Sequence, residues 1–346
     1  MTPAYACRLV VGVLIAGLIA APAQQPEPED AIRSILAAFD RFPVVALGMS
    51  HRQQDEADFS IALIQDPKFA ASINDIVVEC GNPLYQMVMD RYISGAEIPM
   101  EQLQLFWRNT TQPGSCDPRQ HKELLDAVRE VNRRQPAGRR MRVLAGDPPI
   151  DWDKAQRPED VAPFMRQRDT HFASVVVDQV LAKRRKALLV IGAAHVLRRP
   201  ISWASSPQAS APTVTMLIES KYPHSTYVVV PHDDFGDRNS ELEPRLATWP
   251  TPSLATLRDS WLGKLDAGVI FRGKIRRVGS DPAKVEDPFP GLKLRDIADG
   301  YLYLGPIAAI RQVEFPRETG TAYARELDRR RSLLGGGRIV AAPLPR

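Results

Sequence analysis

One figure occurs twice in this chain and limits what it can fold into. A short aliphatic run is cut off by a glycine, and a histidine follows three positions later. Residues 42–51 read FPVVALGMSH and residues 188–195 read LLVIGAAH, so Gly48 leads to His51 and Gly192 leads to His195. Between them, residues 73–79, INDIVVE, make a third run that stops on Glu79. Short apolar runs bounded by turn formers are the pattern of buried strands. In an open α/β sheet a ligand sits in the crevice beyond the carboxyl ends of the strands. Strands ending near His51, Glu79 and His195 are therefore expected to aim all three groups at one crevice.

The intervening segments support such a sheet. Helical spacing of apolar residues is expected over 30–40, 55–66, 83–93, 100–107, 118–132 and 158–184, the last as one long helix. Asn82 and Pro83 make a cap and a first helical position. Further strands are expected at 141–145, 213–218 and 226–230. Alternation of helix and strand argues for a mostly parallel sheet with helices on both faces. The two Gly-x-x-His units look like the starts of two similar halves. Beyond residue 235 prolines and turns become frequent, with short strands expected at 269–271 and 301–304. This reads as one α/β domain over 24–316, with a core at about 30–234 and an irregular C-terminal elaboration at 235–316. A charged helix and loose tail fill 317–346.

The amino end reads as an export signal at 1–23. An apolar stretch, LVVGVLIAGLIAA, precedes Ala21-Pro22-Ala23, an A-x-A cleavage site. That stretch is shorter than the ~20 residues a membrane-spanning helix needs. The expected mature protein starts near Gln24, is periplasmic or secreted, and has no membrane anchor. It keeps Cys80 and Cys116, which an oxidising compartment could join or which could remain two buried thiols. Net charge is +4, and the basic clusters are spread over separate helix ends and loops. No nucleic-acid partner is expected, because that needs one continuous basic face.

The chemistry rests on strand ends that stop on polar groups. Imidazole titrates near neutrality, so His51 and His195 suit proton transfer or metal binding. Glu79 can act as a base, orient an imidazole or neutralise a cation. Two histidines and a carboxylate are also a ligand set for a catalytic divalent metal. Tyr85 and Gln86, on the helix after Glu79, and Arg168 and Asp169, before the second tetrad, are candidates for substrate contact. Asp147 and His232 follow other strand ends and are further crevice candidates. Ser50 reads as a turn residue and His171 as packed. There is no Gly-x-Ser-x-Gly elbow, no His-Glu-x-x-His helix, no phosphate loop and no Cys-x-x-Cys pair.

GMSH at 48–51, VVE at 77–79, RDTH at 168–171 and GAAH at 192–195 together resemble a superfamily. It joins erythromycin esterases, the Tiki and TraB proteins and ChaN-type haem-uptake lipoproteins. The resemblance covers roughly residues 43–232. It implies an α/β fold with His51, Glu79 and His195 in one crevice. It also implies either hydrolysis, directly or through a metal, of a small-molecule or peptide substrate, or binding of haem without turnover. Many members carry Glu after the first glycine, where this chain has Met49. That departure removes one carboxylate from the crevice.

Overall fold

The computed structural model describes residues 28–50, 53–201, 211–233, 239–268, 273–275, 284–316 and 320–334. The strands are β1 (Glu29–Asp30), β2 (Val44–Met49), β3 (Asp75–Val78), β4 (Arg142–Ala145), β5 (Ala187–Gly192), β6 (Thr226–Pro231), β7 (Ser253–Thr256), β8 (Gly273–Ile275), β9 (Lys284–Glu286) and β10 (Gly300–Tyr303). β8 and β9 pair with each other, and the other eight form one sheet in the order β1-β7-β10-β6-β2-β5-β3-β4. From β10 to β4 every pairing is parallel, while β7 runs antiparallel to both β10 and β1. The carboxyl ends of six strands therefore share one edge.

Side chains alternate between the two faces of the sheet, and each face has its own helices. Val45, Leu47, Ile76 and Leu188 pack with Ile35, Leu63, Phe69 and Val128. Val44, Ala46, Val77 and Leu189 pack on the other face with Phe172, Val176, Val214 and Ile218. Fully burying one such side chain contributes roughly 1.5–3 kcal/mol, so two-sided burial of the central strands dominates the stability of the fold.

Two expected elements differ. Residues 213–218, expected as a strand, belong to the helix Val214–Lys221. Thr213 caps it, its hydroxyl accepting from Met216 N and donating to Leu197 O. The topology explains the outcome: β5 and β6 flank β2 in parallel, and a parallel connection needs a crossover, normally a helix. The expected long helix over 158–184 is two helices, Pro158–Arg166 and Arg168–Gln179, separated at Gln167. A 3-10 turn, Leu181–Lys183, follows the second. The strand expected at 269–271 falls outside the described residues. β7 was not expected from the sequence: SLAT is short and lacks the aliphatic run that marks the central strands.

Candidate active site at the carboxyl edge of the sheet

β5 lies between β2 and β3. Gly48 pairs with Ile191 and Met49 with Gly192, so the two glycines lie on neighbouring strands, offset by one residue. Gly48 has a local reason: a Cβ there would stand 2.9 Å from Ala193 Cα. The short helix Ala193–Val196, which carries His195, can close against β2 only because residue 48 has no side chain. His51 and Arg52 lie outside the described residues. The chain is followed to Ser50, whose N–H donates to the buried Glu56 carboxylate at 2.6 Å.

Glu79 follows β3 directly, its side chain 5% exposed. Its Oε2 accepts from Gly192 N at 2.7 Å. Its Oε1 accepts from Gln112 Nε2 at 2.7 Å and from Arg168 Nη2 at 2.6 Å. Arg168 Nε is also 3.8 Å from Asp147 Oδ1. Asp147 accepts from both the N–H and the hydroxyl of Thr111, at 2.6 Å each. Burial pushes the Asp147 carboxyl up to about 7, and the Glu79 charge pushes the same way, against Thr111 and Arg168. The break at Gln167 places Arg168 and Asp169 on the first turn of a new helix. That helix seats against β4 through Gly146, where a Cβ would stand 2.2 Å from the Phe172 ring. His171 is packed as expected, its Nδ1 3.0 Å from Gly146 O.

His195 Nδ1 lies 2.7 Å from Asp169 Oδ1. The carboxylate makes Nδ1 the protonated nitrogen in the neutral imidazole and leaves the Nε2 lone pair free. Nε2 is 4.0 Å from Glu79 Oε1. Burial opposes the imidazolium, but the Asp169 hydrogen bond and the Glu79 and Asp169 charges outweigh it, and the His195 pKa is raised. Alongside runs a cavity of about 40 Å³ lined by Met49, Ser50, Glu79, Gln120, His121 and Gly192 among others. It has room for a few waters.

Arg168, Asp169 and Asp147 thus gather around Glu79 and His195. Three other candidates do not join this network. The Gln86 amide donates to Val143 O and accepts from Ala145 N, so it finishes the outer edge of β4 like a ladder partner. The Tyr85 hydroxyl accepts from Asn109 Nδ2. His232 is buried in a cluster of its own, Nδ1 2.6 Å from the Tyr301 hydroxyl and Nε2 2.6 Å from Glu243 Oε1. Thr111 and Gln112 were missed, because they sit in a polar loop that ends no strand. Cys116 was the signal that could have found them: its disulfide to Cys80, with Cα atoms 5.5 Å apart, ties that loop to the residue after Glu79.

Among the described residues, the expected ligand set does not suit a divalent cation. Both Glu79 oxygens already accept short bonds, and a guanidinium supplies the positive charge beside them.

No family model and no curated protein matches the chain. Solved structures do match in fold. A succinoglycan biosynthesis protein aligns with a TM-score of 0.59 at 9% identity. A Bacillus cereus protein aligns at 0.54 and 11%. A histidine-to-asparagine variant of erythromycin esterase EreC in its open conformation aligns at 0.52 and 11%. Each alignment covers 85% of this chain and 97% of the other. The chain therefore shares its fold with these structures, the erythromycin esterase variant among them.

Proposed function

We propose that this protein is an exported hydrolase of the erythromycin esterase type, in which His195 activates water directly. The observation that carries the reading is the orientation of His195. Asp169 holds one ring nitrogen and leaves the other facing Glu79 across 4.0 Å. A water hydrogen-bonded to both at ~2.8 Å fits that gap. As its oxygen adds to the acyl carbon, one water proton passes to Nε2 and the imidazolium is stabilised by Asp169 and Glu79. Arg168 holds Glu79 in place. His51 is proposed as the second imidazole of the crevice, on its position two residues after β2. Tyr85 and Gln86 are left to the framework.

The test is hydrolysis of a panel of activated esters and lactones by the wild type and His195→Asn. General acid–base groups contribute roughly 10²–10⁴-fold, and a loss of that size with unchanged melting temperature is expected. Equal rates in both proteins would overturn the reading. A Soret band on incubation with haem, lost in the variant, would replace it with cofactor binding. Export is proposed on residues 1–23, which lie outside the described residues. Intact mass of secreted protein should place the amino end near Gln24, and a mass retaining residues 1–23 would refute cleavage.

A further inference from the structure

The Cys80–Cys116 disulfide is more than a staple between β3 and the 109–117 loop. Cys80 Sγ lies 3.6 Å from His121 Nε2. Among the described residues, Cys80, Cys116 and His121 form a group of metal-ligand type, with one ligand atom from each lying within 4.8 Å of the others. This group is distinct from the Glu79–His195 network. We infer that the reduced chain holds a zinc ion on Cys80, Cys116 and His121, and that the disulfide is the metal-free state of a redox-gated site.

The geometry favours this ion. Tetrahedral zinc with Zn–S near 2.3 Å and Zn–N near 2.0 Å sets ligand atoms roughly 3.5–3.8 Å apart. The Cys80–His121 pair already has that spacing. The two sulfurs must separate, which breaking their bond permits, and the Cys116 and His121 ligand atoms already lie within 4.8 Å of each other. The Thr110 hydroxyl, 3.7 Å from Cys116 Sγ, can donate to the thiolate, the kind of outer support that ligating groups normally have. Cys80 and His121 both line the cavity beside Glu79, which gives the ion a path and leaves its fourth position to water. Gln120 lines the same cavity and buries a side-chain oxygen with no hydrogen-bond partner, its residue being 4% exposed. A metal-bound water would supply the missing donor.

The reaction balances through a dithiol reductant. The disulfide and the dithiol exchange to give two protein thiols and the oxidised reductant. Zinc then displaces two protons from the thiols. Reoxidation removes two electrons from the thiolates, reforms the S–S bond and releases the ion.

The test uses the full chain, reduced anaerobically with a phosphine, its fold monitored by circular dichroism. Cobalt(II) is the probe. A thiolate-to-cobalt charge-transfer band is expected in reduced wild type, bleached by one equivalent of zinc and absent before reduction. His121→Ala keeps the disulfide, so its oxidised fold is a built-in control. Its reduced form should bind cobalt more weakly by more than the roughly 10–100-fold that loss of an outer-shell partner costs. Zinc should also protect both thiols of the wild type from alkylation, read by intact mass. The inference is overturned by a folded, reduced protein that gives no band, or by a band indifferent to His121→Ala. It is equally overturned if reduction unfolds the chain whether or not zinc is present.

Discussion

At the scale of single residues, Asp169 decides the protonation state of His195. It accepts from Nδ1 and helps to raise the pKa against the opposing effect of burial. A general base works in its neutral form, so the raised pKa places the acid limb of kcat/KM above that of an ordinary histidine. Asp169→Asn removes the charge while keeping an acceptor for Nδ1–H. The acid limb should then move to lower pH, together with a lower maximal rate because the imidazolium loses its counter-charge. A pH–rate profile of the variant measures both. An acid limb that stays where it was would mean that His195 is not the base. A second histidine, His232, shows why residue type alone misleads. It also ends a strand, yet both its ring nitrogens are satisfied by Tyr301 and Glu243, and the Gly-x-x-His spacing that marks His195 is absent before it.

At the scale of elements, the parallel strands have two ends with different duties. The carboxyl edge carries the candidate chemistry. The amino edge carries a clamp: Asp75, at the start of β3 and fully buried, accepts forked bonds from Arg142 on β4 and from Arg185 just before β5. One carboxylate thus binds three adjacent strands. Removing one member of a buried ion cluster leaves the others unpaired and typically costs ~3–5 kcal/mol. Asp75→Ala should lower unfolding stability by about that much while the folded fraction keeps its kcat, as urea unfolding and kinetics on one preparation would show. A large fall in kcat with stability intact would mean that the amino edge takes part in the reaction. The central strands were legible because burial on both faces demands continuous aliphatic runs, and VVAL, DIVV and LLVI announce themselves. The Val214–Lys221 helix was not, because its β-branched residues imitate a strand and only the parallel topology forbids one. The partners of Glu79 were legible in part. Arg168 and Asp169 stood out as a charged pair before the second tetrad, but Gln112 reaches Glu79 through a loop whose placement depends on the disulfide.

At the scale of the whole molecule, three titrating groups tie stability to pH with opposing signs. His232 is lowered, chiefly by burial, so below the ordinary histidine value of about 6.5 the unfolded chain binds the extra proton and stability falls as pH drops. His195 is raised. Its contribution is fully present below that ordinary value and is lost as pH climbs through the folded one. Asp147 is raised from 3.8 to about 7. The unfolded carboxyl ionises first as pH rises, the folded one holds its proton, and stability therefore falls between about pH 4 and pH 7. A tenfold difference in acidity between the folded and unfolded chain corresponds to roughly 1.4 kcal/mol, so Asp147 should be the largest single source of slope in that window. Asp147→Asn tests this with little disturbance: the amide oxygen still accepts from Thr111 N, and the amide nitrogen can donate to the Thr111 hydroxyl in place of accepting from it. Urea unfolding of both proteins between pH 4 and pH 8 should give curves that diverge as pH rises, the variant becoming the more stable above pH 7. Curves that stay parallel would show that Asp147 is ionised throughout, held as a full partner of Arg168. Arg168 would then divide its charge between two carboxylates, and Glu79 would be less firmly held than its short bond to the guanidinium implies.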